Sequence, residues 1–144
     1  MGWWSWLFDA RGPEPVGRVD DPVFGPLAWS EDDEAWVGTY GGYRIALGYS
    51  GSAEPAADLL AYARAFLGPD GATFTRTLAE AQAAHAPAFG RWAAEFAGLR
   101  VGTLGFGMSK RGMGCFVDLT GGEPDRSWRV EFDGMRCLGF GFDT

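Results

Sequence analysis

One histidine, two cysteines and a short acidic run are the residues whose chemistry could exceed folding. His85 with Cys115 or Cys137 would suit nucleophilic catalysis, but a low-pKa thiol needs a cation or a helix terminus beside it. Both cysteines read as mid-strand residues among apolar neighbours, which favours buried free thiols. No G-x-S-x-G elbow occurs. His85 has no Glu or His four residues on and no second histidine exists, so it reads as a helix residue beside the kink at Pro87. The glycines fail the phosphate motifs. Gly105 and Gly107 lack the third glycine of G-x-G-x-x-G, and Met113-Gly114 follow Gly112 where a P-loop needs Lys and Ser or Thr. No catalytic, metal-binding or cofactor-binding residue is assigned, and the chain is expected not to be an enzyme.

The acids carry the remaining signal. Asp20-Asp21 and Glu31-Asp32-Asp33-Glu34 are interleaved with Trp29 and Trp36. Glycosidase-type work would need one carboxyl buried with a raised pKa, and four adjacent acids in a hairpin turn tend to stay solvated. The D-x-D-x-D-G spacing of a calcium loop is missing. Trp29, Glu31, Asp32, Asp33, Glu34 and Trp36 read instead as an acidic, aromatic-flanked patch for a basic protein surface, since aromatic anchors and complementary charge serve hot spots and steered association. Twelve basic against nineteen acidic residues give a net charge of −7, which argues against nucleic acid and anionic membranes as partners.

No apolar stretch approaches the roughly 18 residues of a membrane-spanning helix. The N-terminus lacks the basic region and cleavage site of a secretory signal. Trp3, Trp4 and Trp6 could lie in a bilayer interface, yet Asp9 and the scarcity of nearby cations argue for docking on the domain or a partner. The expected compartment is the cytoplasm.

These residues must be positioned by the 144-residue chain, long enough for one domain. Residues 1–19 read as an aromatic N-terminal segment and a Pro- and Gly-containing linker, and residues 20–144 as a single α+β domain. Leu27–Trp29, Ala35–Tyr40 and Tyr43–Tyr49 alternate as strands, with Gly41-Gly42 as a two-residue turn. Apolar residues then recur at three and four, predicting helices over 54–67 and 74–97, the second kinked or split at Pro87. Four strands follow, two of them carrying the similar runs Leu104-Gly105-Phe106-Gly107-Met108 and Leu138-Gly139-Phe140-Gly141-Phe142. A helix or large aromatic packed over a smooth glycine face is the simpler account of those glycines, and a ligand or partner backbone lying there the sharper one. Asp133-Gly134 predicts a type I′ hairpin that sets Glu131 opposite Arg136. The expected fold is α+β: a largely antiparallel sheet of about six or seven strands with two central helices on one face, in the order βββ-αα-ββββ.

The run Asp21-Pro22-Val23-Phe24-Gly25-Pro26-Leu27-Ala28-Trp29, followed by acids and Trp36-Val37-Gly38, resembles a group of small uncharacterised bacterial domains. They share a D-P-x-F/L-G-x-L … W-x-G opening and a β-rich tail, and several look like immunity proteins of polymorphic toxin systems. The resemblance contributes no catalytic residues to carry over; with the net charge of −7 and the acids beside Trp29 and Trp36, the expected function is a non-enzymatic, immunity- or antitoxin-like protein that neutralises a basic partner. The competing reading is a small-ligand binder or small enzyme with a pocket between the helices and the glycine-rich strands.

Overall fold

The computed structural model describes residues 13–109 and 111–143. Period-two runs form β1 (Arg18–Asp21), β2 (Gly25–Ser30), β3 (Ala35–Tyr40) and β4 (Tyr43–Gly48), and a second group forms β5 (Arg100–Ser109), β6 (Gly112–Thr120), β7 (Ser127–Asp133) and β8 (Arg136–Asp143). Between them lie α1 (Ala57–Leu67), α2 (Ala72–His85) and α3 (Ala93–Ala97), with short 3₁₀ stretches at Pro69–Gly71 and Ala86–Trp92. All eight strands join one sheet in chain order. Neighbours are antiparallel except β4 and β5, which run parallel because the helical layer connects them. The fold is α+β, with a large, mostly antiparallel sheet.

One face of the sheet takes the helices. Ile45, Leu104, Val117 and Val130 stand in register across β4 to β7 and are wholly buried. Leu47, Phe106, Cys115 and Phe132 form the next row. Leu59, Ala63 and Phe66 of α1 pack on these rows together with Phe74 and Leu78 of α2. Phe66 is the hub, its ring 5.5 Å from Phe74, 5.7 Å from Phe106 and 5.1 Å from Phe132. Gly68 (φ +73°) ends α1, and Pro87 ends the regular part of the second helix, which breaks into a 3₁₀ stretch before α3.

Four expectations are corrected. An additional strand, β1, pairs Val19 with Leu27 inside the span read as linker. Residues just before it are also held down: the Tyr49 hydroxyl donates to the Pro13 carbonyl, and the Val16 amide to that of Ala53. Helix α1 begins at Ala57 rather than at residue 54, and the Ser52 hydroxyl donates to the Glu54 carbonyl ahead of it. The β7–β8 turn is Gly134-Met135, so Asp133 faces Arg136 and Glu131 faces Gly139. Gly134 has φ +59° in the first central position, where type II′ turns place glycine, so the expected pairing of Glu131 with Arg136 does not form. Finally, the register shifts between Glu131 and Phe132, leaving Leu138 as an extra residue. This bulge rephases β8 so that Phe140 and Phe142 join the core while Gly139 and Gly141 turn to the opposite face. The glycines thus turn away from the helices, and among the described residues no helix packs over them. The segment 1–12, including Trp3, Trp4 and Trp6, lies outside the described residues.

Candidate functional site

The run Asp21–Trp29 is built into the fold. The Asp21 carboxylate accepts the amides of Val23 and Phe24 at 2.9 Å each and the Arg64 guanidinium at 2.5 Å. Burial pushes its pKa up, but the two amides and Arg64 outweigh that and hold it below the usual aspartate range. Phe24 and Leu27 enter the core, and Gly25 (φ +68°) turns the chain into β2. Gly38 is required because a Cβ there would sit 2.9 Å from the Pro26 carbonyl oxygen and from Leu27.

The acidic turn connects β2 to β3 and is built on Asp33. Its carboxylate accepts the Ser30 hydroxyl at 2.8 Å and Arg44 at 2.6 Å. Those bonds, Ser30 foremost, lower its pKa. Arg44 alternates with buried Ile45, so it stands on the sheet face away from the helices, and Asp33 ties the turn to that face. Glu34 takes φ +51°, gives its amide to the Glu31 carbonyl and receives the Tyr49 amide. Glu31 and Asp32 are exposed. The two tryptophans behave differently from the acids. Trp36 is 0 % exposed and belongs to the core, while Trp29 is half-buried with its ring 4.8 Å from that of Trp36. Of the six predicted contact residues, the structure therefore presents Glu31 and Asp32 freely, spends Asp33 on the turn itself and withholds Trp36.

The same outward face carries an apolar groove that the sequence reading did not assemble. Gly105, Gly107 and Gly114 form its floor, and Phe116 and Leu138 border a hollow of about 610 Å³. Arg111, Glu131 and Asp133 stand around it. Phe116 and Leu138 are each 41 % exposed. The glycine pairs were the available signal, and Phe116 could have been placed by its alternation with buried Cys115 and Val117. The groove thus opens on the side of the sheet opposite the one where a pocket between helices and glycine strands would lie. On the helix side, the layer is filled by Leu104, Phe106 and their neighbours.

His85 ends α2 with its Nε2 3.9 Å from the Cys137 Sγ. Burial pushes the Cys137 thiol up, against an opposing hydrogen bond from the Gly139 amide, and burial alone raises that of Cys115. A thiol held in its protonated form is a poor nucleophile, so proximity here is not accompanied by activation. Among the described residues no group of three or more His, Cys, Asp or Glu is placed to hold a metal ion, and no helix is long and apolar enough to cross a membrane. Searches against protein-family models, curated proteins and solved structures returned no match.

Proposed function

We propose that this chain is a non-enzymatic protein-binding domain, immunity- or antitoxin-like, that neutralises a basic partner in the cytoplasm through its acidic β2–β3 turn. The observation that carries this reading is the clamp on Asp33. Ser30 and Arg44 fix the turn from within and leave Glu31 and Asp32 pointing to solvent on a preorganised backbone. Preorganisation removes part of the ordering cost of association, and unpaired surface carboxylates on a protein of net charge −7 attract a basic surface over a Debye length. Half-buried Trp29 beside the turn supplies the aromatic contact, in place of the pair expected from sequence.

The test follows from the division of labour among the acids. Reversing Asp33 would break the turn along with any contact, so the informative variant is Glu31→Lys/Asp32→Lys. Its control, Glu54→Lys/Glu80→Lys, makes the same charge change at exposed sites elsewhere. Wild type and control should capture the same partner from the native host. With that partner purified, the turn variant should associate about tenfold more slowly at low salt and nearly normally at high salt. Equal rates for all three proteins would remove the turn from the binding site.

A further inference from the structure

Among the described residues no helix packs on the outward sheet face, yet its middle is not the polar surface that a solvated antiparallel face usually presents. One row runs in register from β3 to β8 through Val37, Ala46, Gly105, Phe116, Glu131 and Gly139, with Glu131 its one charge. Ala46 alternates with buried Ile45 and Leu47, and Phe116 with buried Cys115 and Val117, so both side chains point away from the helices. The glycine between them is not demanded by its own chain. A Cβ on Gly105 would meet nothing closer than the Phe116 carbonyl oxygen at 3.6 Å, an ordinary contact, whereas glycine inside a strand weakens it.

Around β5 this face is complementary to itself. Ala46 on β4 and Phe116 on β6 flank Gly105 at equal distances, roughly 4.8 Å to either side. In the next outward row, Arg44 on β4 and Asp118 on β6 flank Thr103 in the same way. A two-fold rotation about a line nearly along β5 therefore sets Phe116 of each copy over Ala46 of the other, and Asp118 of each beside Arg44 of the other. A large ring meets a small side chain, and a carboxylate meets a guanidinium that holds Asp33 through only one of its nitrogens. A line between β5 and β6 would instead oppose Arg44 to Arg129. Strands β2 to β8 lie symmetrically about β5, three on each side. At about 4.8 Å per strand and a strand length of about 20 Å, they offer roughly 650 Å² per copy, or about 1,300 Å² in all, inside the range of stable interfaces. Twisted sheets stack face to face in this way, about 30° from parallel.

We infer that two copies of this chain pack their outward sheet faces together about a two-fold axis along β5, with Phe116 of each seated on Ala46 and Gly105 of the other. The acidic turn lies beyond the ends of β2 and β3, so this inference does not depend on the reading above.

Sedimentation equilibrium of the full chain tests it, from about 1 to 200 μM protein at a salt concentration where charge repulsion is screened beyond about 8 Å. Wild type should show a monomer–dimer equilibrium. Phe116→Ala removes the ring and Ala46→Phe obstructs its seat, and each should weaken association about tenfold. Ala46→Phe/Phe116→Ala exchanges knob and seat across the axis and should return to within about threefold of wild type. Asp118→Lys gives a second reading through charge and should weaken association by a similar factor. All four variants change side chains outside the core, and circular-dichroism melts verify that each is folded. A wild-type chain that stays monomeric throughout the range overturns the inference and leaves this face to another protein or to water. So does a dimer indifferent to Phe116→Ala and Asp118→Lys, whose contact would lie elsewhere. A double variant weaker than either single one also overturns it, because the axis would not run along β5. Only the purified chain is used, so failure here leaves the acidic-turn reading standing.

Discussion

Glu95 in α3 receives more hydrogen bonds on its carboxylate than any other acid described: from the Arg126 guanidinium, the Trp128 indole at 2.6 Å and the Glu123 amide at 3.2 Å. Arg126 is the chief cause of a pKa lowered to about 2 from the ordinary 4.5, with Trp128 and the Glu123 amide adding to it against the opposing effect of burial. A folded value below the unfolded one means that this stabilisation is complete above about 4.5 and disappears as the pH falls toward 2. Asp21, also shifted downward, is lost in the same direction. Urea midpoints measured across that interval should therefore fall more steeply for wild type than for Glu95→Gln, and equal slopes would show that the network contributes nothing. Asp21→Ala should cost about 2–4 kcal/mol at neutral pH, because two amides and a partly buried guanidinium lose their acceptor together. Glycines divide just as sharply. Gly38→Ala forces a Cβ to 2.9 Å from a backbone carbonyl and should destabilise by about 1–3 kcal/mol. Gly141→Ala meets nothing within 4 Å and should be neutral or stabilising by up to about 1 kcal/mol in the same denaturation experiment.

At the level of elements, hairpins show what a sequence can and cannot specify. Gly41-Gly42 connects β3 to β4 as read, with both residues at positive φ (+57° and +86°) and Tyr40 opposite Tyr43. Asp133-Gly134 carries an equally strong local signal, yet the turn moves one residue on. The reason is non-local. The Tyr62 hydroxyl of α1 holds the Gly134 carbonyl at 2.7 Å, the Gly134 amide reaches the Met113 carbonyl, and Leu138 bulges to bring Phe140 and Phe142 under the helices. Strand faces were legible wherever alternation was unbroken, as at Ile45 and Leu47 or Cys115, Val117 and Leu119. The groove was not, because it is closed by Leu138, whose side is set by the bulge. Nor was the clamp on Asp33, since Arg44 lies eleven residues away. Removing the bulge residue gives a stringent check on this account. Deleting Leu138 leaves Cys137 inward, Gly139 outward and Phe140 inward, so cooperative unfolding should survive with a loss below about 2 kcal/mol. Deleting Gly141, in a regular stretch, should turn Phe142 out of the core and cost more.

Across the whole molecule, the sheet is a single ladder and the aromatic core runs its width, from Trp36 under β3 to Trp128 and Phe142 at β7 and β8. The central strands are paired on both sides and roofed by α1, whereas β1 is a four-residue edge. Amide exchange should accordingly be slowest at Val117 and Val130 and fastest in β1, and near- and far-ultraviolet circular dichroism should report one transition. Phe66→Ala, at the meeting point of Phe74, Phe106 and Phe132, should lower stability by about 3–5 kcal/mol. The bulge at Leu138 also has a meaning outside the monomer. Among the described residues strand β8 is the last of the sheet, and a straight outermost strand invites the next molecule to zip onto it. A kink in that border, with Arg136 and Asp143 at its two ends, denies a newcomer a continuous register. Straightening it by losing Leu138 should spare the fold and make the shortened chain more prone than the native one to grow into ribbons, which light scattering of the two proteins would show.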